Sequence, residues 1–205
     1  MENTATVAAA TEIALHLRDK YTSAHGVHAE TVICAAAAIA GEWSLWACGL
    51  PVPDSAWVVL PATNALLVEG DGAASRLIAA AVRQAGGAVA MLPAGPVLLA
   101  RTAAAIGSSR FPPLTVDKSH YPQEWSPLAA PRFRADVRSI CEKHGLRDPR
   151  EIFAACVMAV SLLISATAKV LDATIAGTLA LEMMVAVSRM SPAETEKFAR
   201  QEGVR

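Results

Sequence analysis

From Glu151 to Arg189 the chain is an almost unbroken run of apolar residues, EIFAACVMAVSLLISATAKVLDATIAGTLALEMMVAVSR, and between its ends only Lys169, Asp172 and Glu182 carry charge. A helix that is apolar around its whole circumference must be enclosed by protein or by lipid. The run is broken at Lys169–Asp172, so it predicts two consecutive helices. The expected architecture follows: mainly α, a single helical domain over residues 1–205, with about seven helices gathered around this hairpin. The same run isolates three ionisable groups that need partners once water is removed.

Helix punctuation elsewhere supports the class. Asn3 or Thr4 can cap a first helix running to about Tyr21, with Val7, Ala10, Ala14, Leu17 and Tyr21 on one face. A second helix, from near Val27 to Cys48, has only Glu30 and Glu42 as charges and reads as a core helix ended by Gly49 and Pro51–Pro53. The runs WVVL (57–60) and ALLVE (65–69) flank the turn-forming PATN and predict a small β-hairpin near residues 56–69. Asp71 is placed to cap a helix to Ala85, which Gly86–Gly87 would stop, and another helix is expected from about Pro96 to Ile106.

Pro112, Pro113, Pro122, Pro127 and Pro131 forbid regular helix across 107–131, while Phe111, Tyr121 and Trp125 offer apolar anchors. That combination predicts an ordered segment crossing the bundle, a place for a site mouth or a subunit contact. Asp148-Pro149-Arg150-Glu151 and Ser191-Pro192-Ala193-Glu194 carry capping-box signals, and Asp172 stands where the second helix of the hairpin must begin. The basic residues from Arg132 to Arg150 are interleaved with acids, Arg132/Asp136 and Arg138/Glu142 being four apart, as on a salt-bridged helix face.

Composition narrows the function classes. Hydrophobic residues make up 53% and charged residues 18%, and alanine alone is about a fifth, a bacterial-like bias. Alanine helices pack closely but bury little area each, so this excess of apolar residues over charge predicts a homo-oligomer, a dimer in the simplest case. A formal net charge of −1 excludes a general nucleic-acid binder or a binder of acidic membranes. A DNA-reading helix–turn–helix at 132–170 is excluded too, because its second helix is far too apolar. Cys34, Cys48, Cys141 and Cys156 form no CxxC pair, three lying in apolar patterns and Cys141 in a charged helix. With an N-terminal stretch that lacks a basic leader pattern, this predicts a cytoplasmic setting. Residues 152–168 sit at the lower limit of a membrane span, and the return helix carries Glu182 near its middle.

The most suggestive polar cluster is His25-Gly26-Val27-His28-Ala29-Glu30, where two imidazoles and a carboxylate open the second helix. HAE at 28–30 resembles the start of the zinc-deaminase signature, but the PCxxC which that family also needs is missing. On a regular helix His28 and Glu30 would point about 200° apart, so a shared metal is not expected. Glu12, His16 and Asp19 share a face and read as a solvent-facing stripe. The lone GxGxxS at 70–75 lacks the parallel sheet a nucleotide fold requires.

Candidate ligand-binding residues are therefore His25, His28, Glu30, Lys169, Asp172 and Glu182, with Asp172 also a helix cap and Glu182 expected to meet a cation from another helix or subunit. No catalytic set, metal or cofactor is assigned. The leading expectation is a non-catalytic homo-oligomeric protein that binds a partner or a small ligand, outside the membrane and without nucleic acid. The alternatives are a metal-dependent or acid–base enzyme built on His25, His28 and Glu30, and a membrane-associated helical hairpin.

Overall fold

The computed structural model describes residues 4–24, 26–49, 61–106 and 111–201. Among these the class is mainly α, with eight helices of ten residues or more. They are α1 (Thr4–Lys20), α2 (Ala29–Ala47), α4 (Ala74–Gln84), α5 (Gly95–Ala105), α6 (Ala129–Lys143), α7 (Pro149–Thr167), α8 (Ala173–Val187) and α9 (Pro192–Gln201), with a single-turn α3 at Pro61–Asn64.

The predicted caps of the C-terminal hairpin form. Asp148 and Glu151 make the reciprocal capping box of α7 with Pro149 in its first turn. Asp172 accepts from the Thr174 and Ile175 N–H groups at the start of α8. Asp71 does not cap. It pairs with Arg76 at 3.1 Å, and α4 begins beyond it, after Ala73.

The β element is not where the hydrophobic pattern placed it. Residues 65–69 continue from α3 as a π-helical turn, closed by a bond from the Gly70 N–H to the Ala65 carbonyl at 2.9 Å, with Leu67 fully buried. The other half of the expected hairpin, 57–60, lies outside the described residues. The one sheet among the described residues is a two-stranded turn between α1 and α2, β1 (Thr22–Ser23) against β2 (Gly26–Val27). Gly26 supplies its positive φ of 92°, which a side chain would strain.

The centre of the bundle is α2, not the C-terminal hairpin. α7 and α8 each pack more extensively on α2 than on each other, so α2 is wedged between the two arms. Every α2 residue except Glu30 and Trp46 is buried. A core of alanines gains little from area alone, because a side chain of one carbon covers little surface. It compensates by close approach. A Cβ on Gly41 would overlap the Met184 carbonyl, so the α2 and α8 backbones touch there. α1 and α4 pack along α7, α4 and α5 along α8, and α6 along α2.

The expected pairs within α6 give way to pairs between elements. Arg132 reaches Glu124, Asp136 meets His16, and Arg138 lies over the Trp43 ring at 5.6 Å. Cys141, expected on a charged helix, faces inward and is fully buried. The reason is the amphipathic pattern of α6, whose buried face is Phe133, Val137, Ile140 and Cys141.

Candidate functional site

The first turn of α2 carries two of the predicted site residues and folds them in an unexpected way. His28 is the N-cap, with extended backbone at φ −79° and ψ 109°. Its ring therefore turns back over the helix start, where Nδ1 accepts from the Thr31 N–H at 3.4 Å and lies 2.9 Å from Thr31 Oγ1. The two residues are consequently not on opposite faces: His28 Nδ1 is 3.5 Å from Glu30 Oε2, which corrects the 200° expected for a regular helix. His28 thus closes the start of α2 through its Nδ1, which accepts from the Thr31 N–H, and sets the same ring edge beside the Glu30 carboxylate.

The remaining oxygen of Glu30 takes His120, whose Nδ1 lies 3.0 Å from Oε1. His120 belongs to a strap, residues 111–128, that runs over α2 and α8 through two short 3₁₀ turns. Burial pushes the Glu30 carboxyl up, but the His120 bond, its own backbone N–H and the two imidazoles outweigh that and hold it below the usual carboxylate range. Three residues further on, the Gln123 N–H donates to Thr31 Oγ1 at 2.9 Å.

Glu182, from the middle of α8, fastens the other half of the strap. Its carboxylate accepts from the Thr115 N–H at 2.9 Å, from the Thr115 hydroxyl and from Arg101 of α5. Arg101 also donates to the Pro113 carbonyl. The expected cation is thus supplied from within the chain. Beneath the strap Cys34 feels the charges of both Glu30 and Glu182, and complete burial pushes its thiol far above the ordinary value. Burial likewise raises Cys156 and lifts Cys141 to about 12, so these three thiols stay protonated and are poor nucleophiles.

The other predicted residues are not drawn into this cluster. Lys169 is exposed in the turn after α7. Asp172 stays at its cap, where bonds from the Ile175 and Thr174 N–H groups lower its pKa, with a small further pull from His120. His25 lies outside the described residues. Among the described residues no group of three or more His, Cys, Asp or Glu side chains is arranged to hold a metal ion.

Sequence reading missed His120, Thr115 and Arg101, which are 67 to 90 residues from the carboxylates they meet. The prolines and aromatics of 107–131 announced an ordered crossing, and Phe111 does meet Trp125 edge-on at 6.0 Å. They could not say which carboxylates lay underneath.

A second polar region lies along the seam of α1 and α6. Glu12 pairs with Lys143 and His144, both at 2.8 Å, and His16 with Asp136 at 3.0 Å, so these two residues are inter-helix partners and not the solvent-facing stripe their spacing suggested. Asp19 pairs with its neighbour Arg18. At the end of the seam, Tyr21 donates to Glu124, which also receives Arg132 at 3.4 Å. These residues line an open groove of about 510 Å³ floored by Phe133. Its charges are largely spent on one another.

No family model matches the chain, and no curated protein or solved structure is similar to it.

Proposed function

We propose that this is a non-catalytic, homo-oligomeric interaction protein working in a reducing compartment, the cytoplasm, and that its subunits meet along the outer face of α7. The observation that carries the reading is the state of α7. This 19-residue helix is long and apolar enough to cross a membrane, yet little more than half of it is buried. Its open stripe runs Ala154, Met158, Leu162, Ser165 and Ala166, with no charge between Glu151 and Lys169. Leu162 is 37% exposed, and Leu15 on α1 and Leu77 on α4, the helices packed along α7, are 44% and 40% exposed.

A helix of this length spans about 28 Å. A stable dimer takes about 800 Å² from each partner, and an apolar stripe of this length can contribute to it from end to end. An uncharged helical stripe is self-complementary about a two-fold axis, and small residues permit close approach. The polar clusters support a non-catalytic role, since Glu30, Glu42 and Glu182 are each engaged in fastening another segment. Four free thiols, with Cys141 and Cys156 close enough to influence one another, suit a reducing environment.

Light scattering on the purified chain at micromolar concentration tests this directly. A dimer is expected without detergent, and Leu162→Glu should convert it to a folded monomer. A wild-type monomer, or a protein that needs detergent to stay in solution, overturns the reading.

A further inference from the structure

Two grooves open along α6, and their charges are in different states. In the one floored by Phe133, Glu124 holds Tyr21 and Arg132, and Asp136 holds His16. The second, of about 310 Å³, follows another face of the same helix and is lined by Pro131, Arg134, Ala135, Arg138, Ser139 and Glu142. Arg134 forms its fixed wall. Its Nε and Nη2 donate to Glu42 at 3.0 and 2.7 Å, its Nη1 to Glu196 at 3.3 Å, and the guanidinium lies 5.6 Å from the centre of the Trp46 ring.

Arg138 and Glu142 have no such commitment. Four residues apart, they have the spacing of a helical ion pair, but with the base on the N-terminal side, which is the weaker order. Arg138 instead lays its guanidinium over Trp43, 5.6 Å from the ring centre. Trp43 is 1% exposed and packs edge-on against Trp46 at 4.9 Å, so the cation rests on a fixed platform. Among the described residues neither Arg138 nor Glu142 forms an ion pair, and the Ser139 hydroxyl makes no hydrogen bond. The nearest base in sequence, Lys143, is taken by Glu12. One groove therefore presents a held guanidinium, a hydroxyl and a free carboxylate, with Ala135 and Pro131 as apolar surface beside them.

We propose that this groove binds a free aliphatic α-amino acid, its carboxylate on Arg138 and Ser139 and its ammonium on Glu142. Opposite charges one helical turn apart, about 6 Å along the axis, suit a ligand that carries both. A simple anion would be opposed by Glu142 and a simple cation by Arg138, whereas a zwitterion satisfies the two together. The guanidinium fork matches the geometry of a carboxylate, and an aliphatic side chain has Ala135 and Pro131 to lie along. All of these groups come from one α6, so the site is complete in a single subunit and does not depend on the α7 interface.

Calorimetric titration of the full chain with L-leucine tests this, beside N-acetyl-leucine, which lacks the ammonium, and leucinamide, which lacks the carboxylate. Saturable binding of L-leucine is expected, with each analogue weaker by about tenfold, the worth of one charge-assisted contact. Arg138→Gln and Glu142→Gln alter exposed side chains and should leave the chain folded. Each should weaken L-leucine about tenfold and erase one discrimination. Glu142→Gln should bind N-acetyl-leucine as well as L-leucine, and Arg138→Gln should bind leucinamide as well as L-leucine. No saturable binding of L-leucine up to about 10 mM overturns the proposal. So does equal affinity of the wild type for all three compounds. An affinity for L-leucine unchanged in Glu142→Gln, the variant that breaks no ion pair within the chain, overturns it as well.

Discussion

Along α8 every residue from Leu179 to Val187 is buried, whereas α7, of the same apolar character, leaves Ala154, Leu162, Ser165 and Ala166 in the open and Met158 half-buried. What differs is the company each helix keeps. α8 is covered by α2, α4 and α5 and by the strap above Glu182, while α7 is covered by α1, α2 and α4, and among the described residues no other helix packs extensively on its remaining side. Enclosure of α8 makes its single charge a structural commitment: Glu182 must be matched inside the chain, and its partners tie down α5 and the strap. The open side of α7 makes no such demand.

The sharpest way to break the contrast is to strip Glu182 of its cation. Arg101→Ala should destabilise the chain by about 3 kcal/mol in denaturant unfolding, since it leaves a carboxylate that is 5% exposed without a counter-charge. Replacing both members, Arg101→Met with Glu182→Gln, should recover most of that loss. A double variant as unstable as the single one would mean that Arg101 matters for packing and not for charge.

Next in size is the contact that lets α8 sit so deep. Gly41→Ala puts a methyl group into the Met184 carbonyl, and backbone cannot move aside as a side chain would. A loss of about 2–3 kcal/mol is expected, against a gain of up to about 1 kcal/mol for the same change in an open helix. Stability unchanged or improved would show that α2 and α8 can separate freely.

How much of this was legible beforehand differs between the two helices and the parts around them. The enclosure of α8 and the Asp148 and Asp172 caps follow from local pattern, because apolar circumference and capping chemistry act within a few residues. The open side of α7 does not, since its stripe of Ala, Met, Leu and Ser is no less apolar than the buried one. ALLVE misled because β-branching and apolarity describe burial as well as strand; the π-turn arose from continuity with α3 and the closing Gly70 bond. His28 and Glu30 were separated on paper by a helical angle that an N-cap does not obey. Of the site, the carboxylates Glu30 and Glu182 were visible as isolated charges. His120, Thr115 and Arg101 were not, because only the folded path of the strap brings them there.

The strap gives a smaller test of the enclosed side. His120→Ala removes one bond to Glu30 and should cost about 1 kcal/mol. Its pH signature is distinctive. Glu30 has its folded pKa below the ordinary carboxylate value, so its contribution is present at neutral pH and is lost as pH falls from the ordinary value, near ~4.3, through the folded one. Unfolding followed between pH 6 and 3 should show a flatter acid decline in His120→Ala than in the wild type, and a parallel decline would remove His120 from the cluster.

The smallest effect on folding, and the largest on assembly, is expected at the open side of α7. Leu162 is already 37% exposed, so Leu162→Glu should change the stability of a single subunit by no more than about 0.5 kcal/mol. In a dimer joined along that stripe the same carboxylate would face its own copy or a desolvated apolar surface, and association should weaken by a hundredfold or more, about 2.7 kcal/mol. Sedimentation across a concentration series separates the two quantities, because a change in folding stability leaves the association constant of the folded chain untouched. An association constant equal to that of the wild type would place any subunit contact elsewhere and leave the contrast between α7 and α8 without a consequence for assembly.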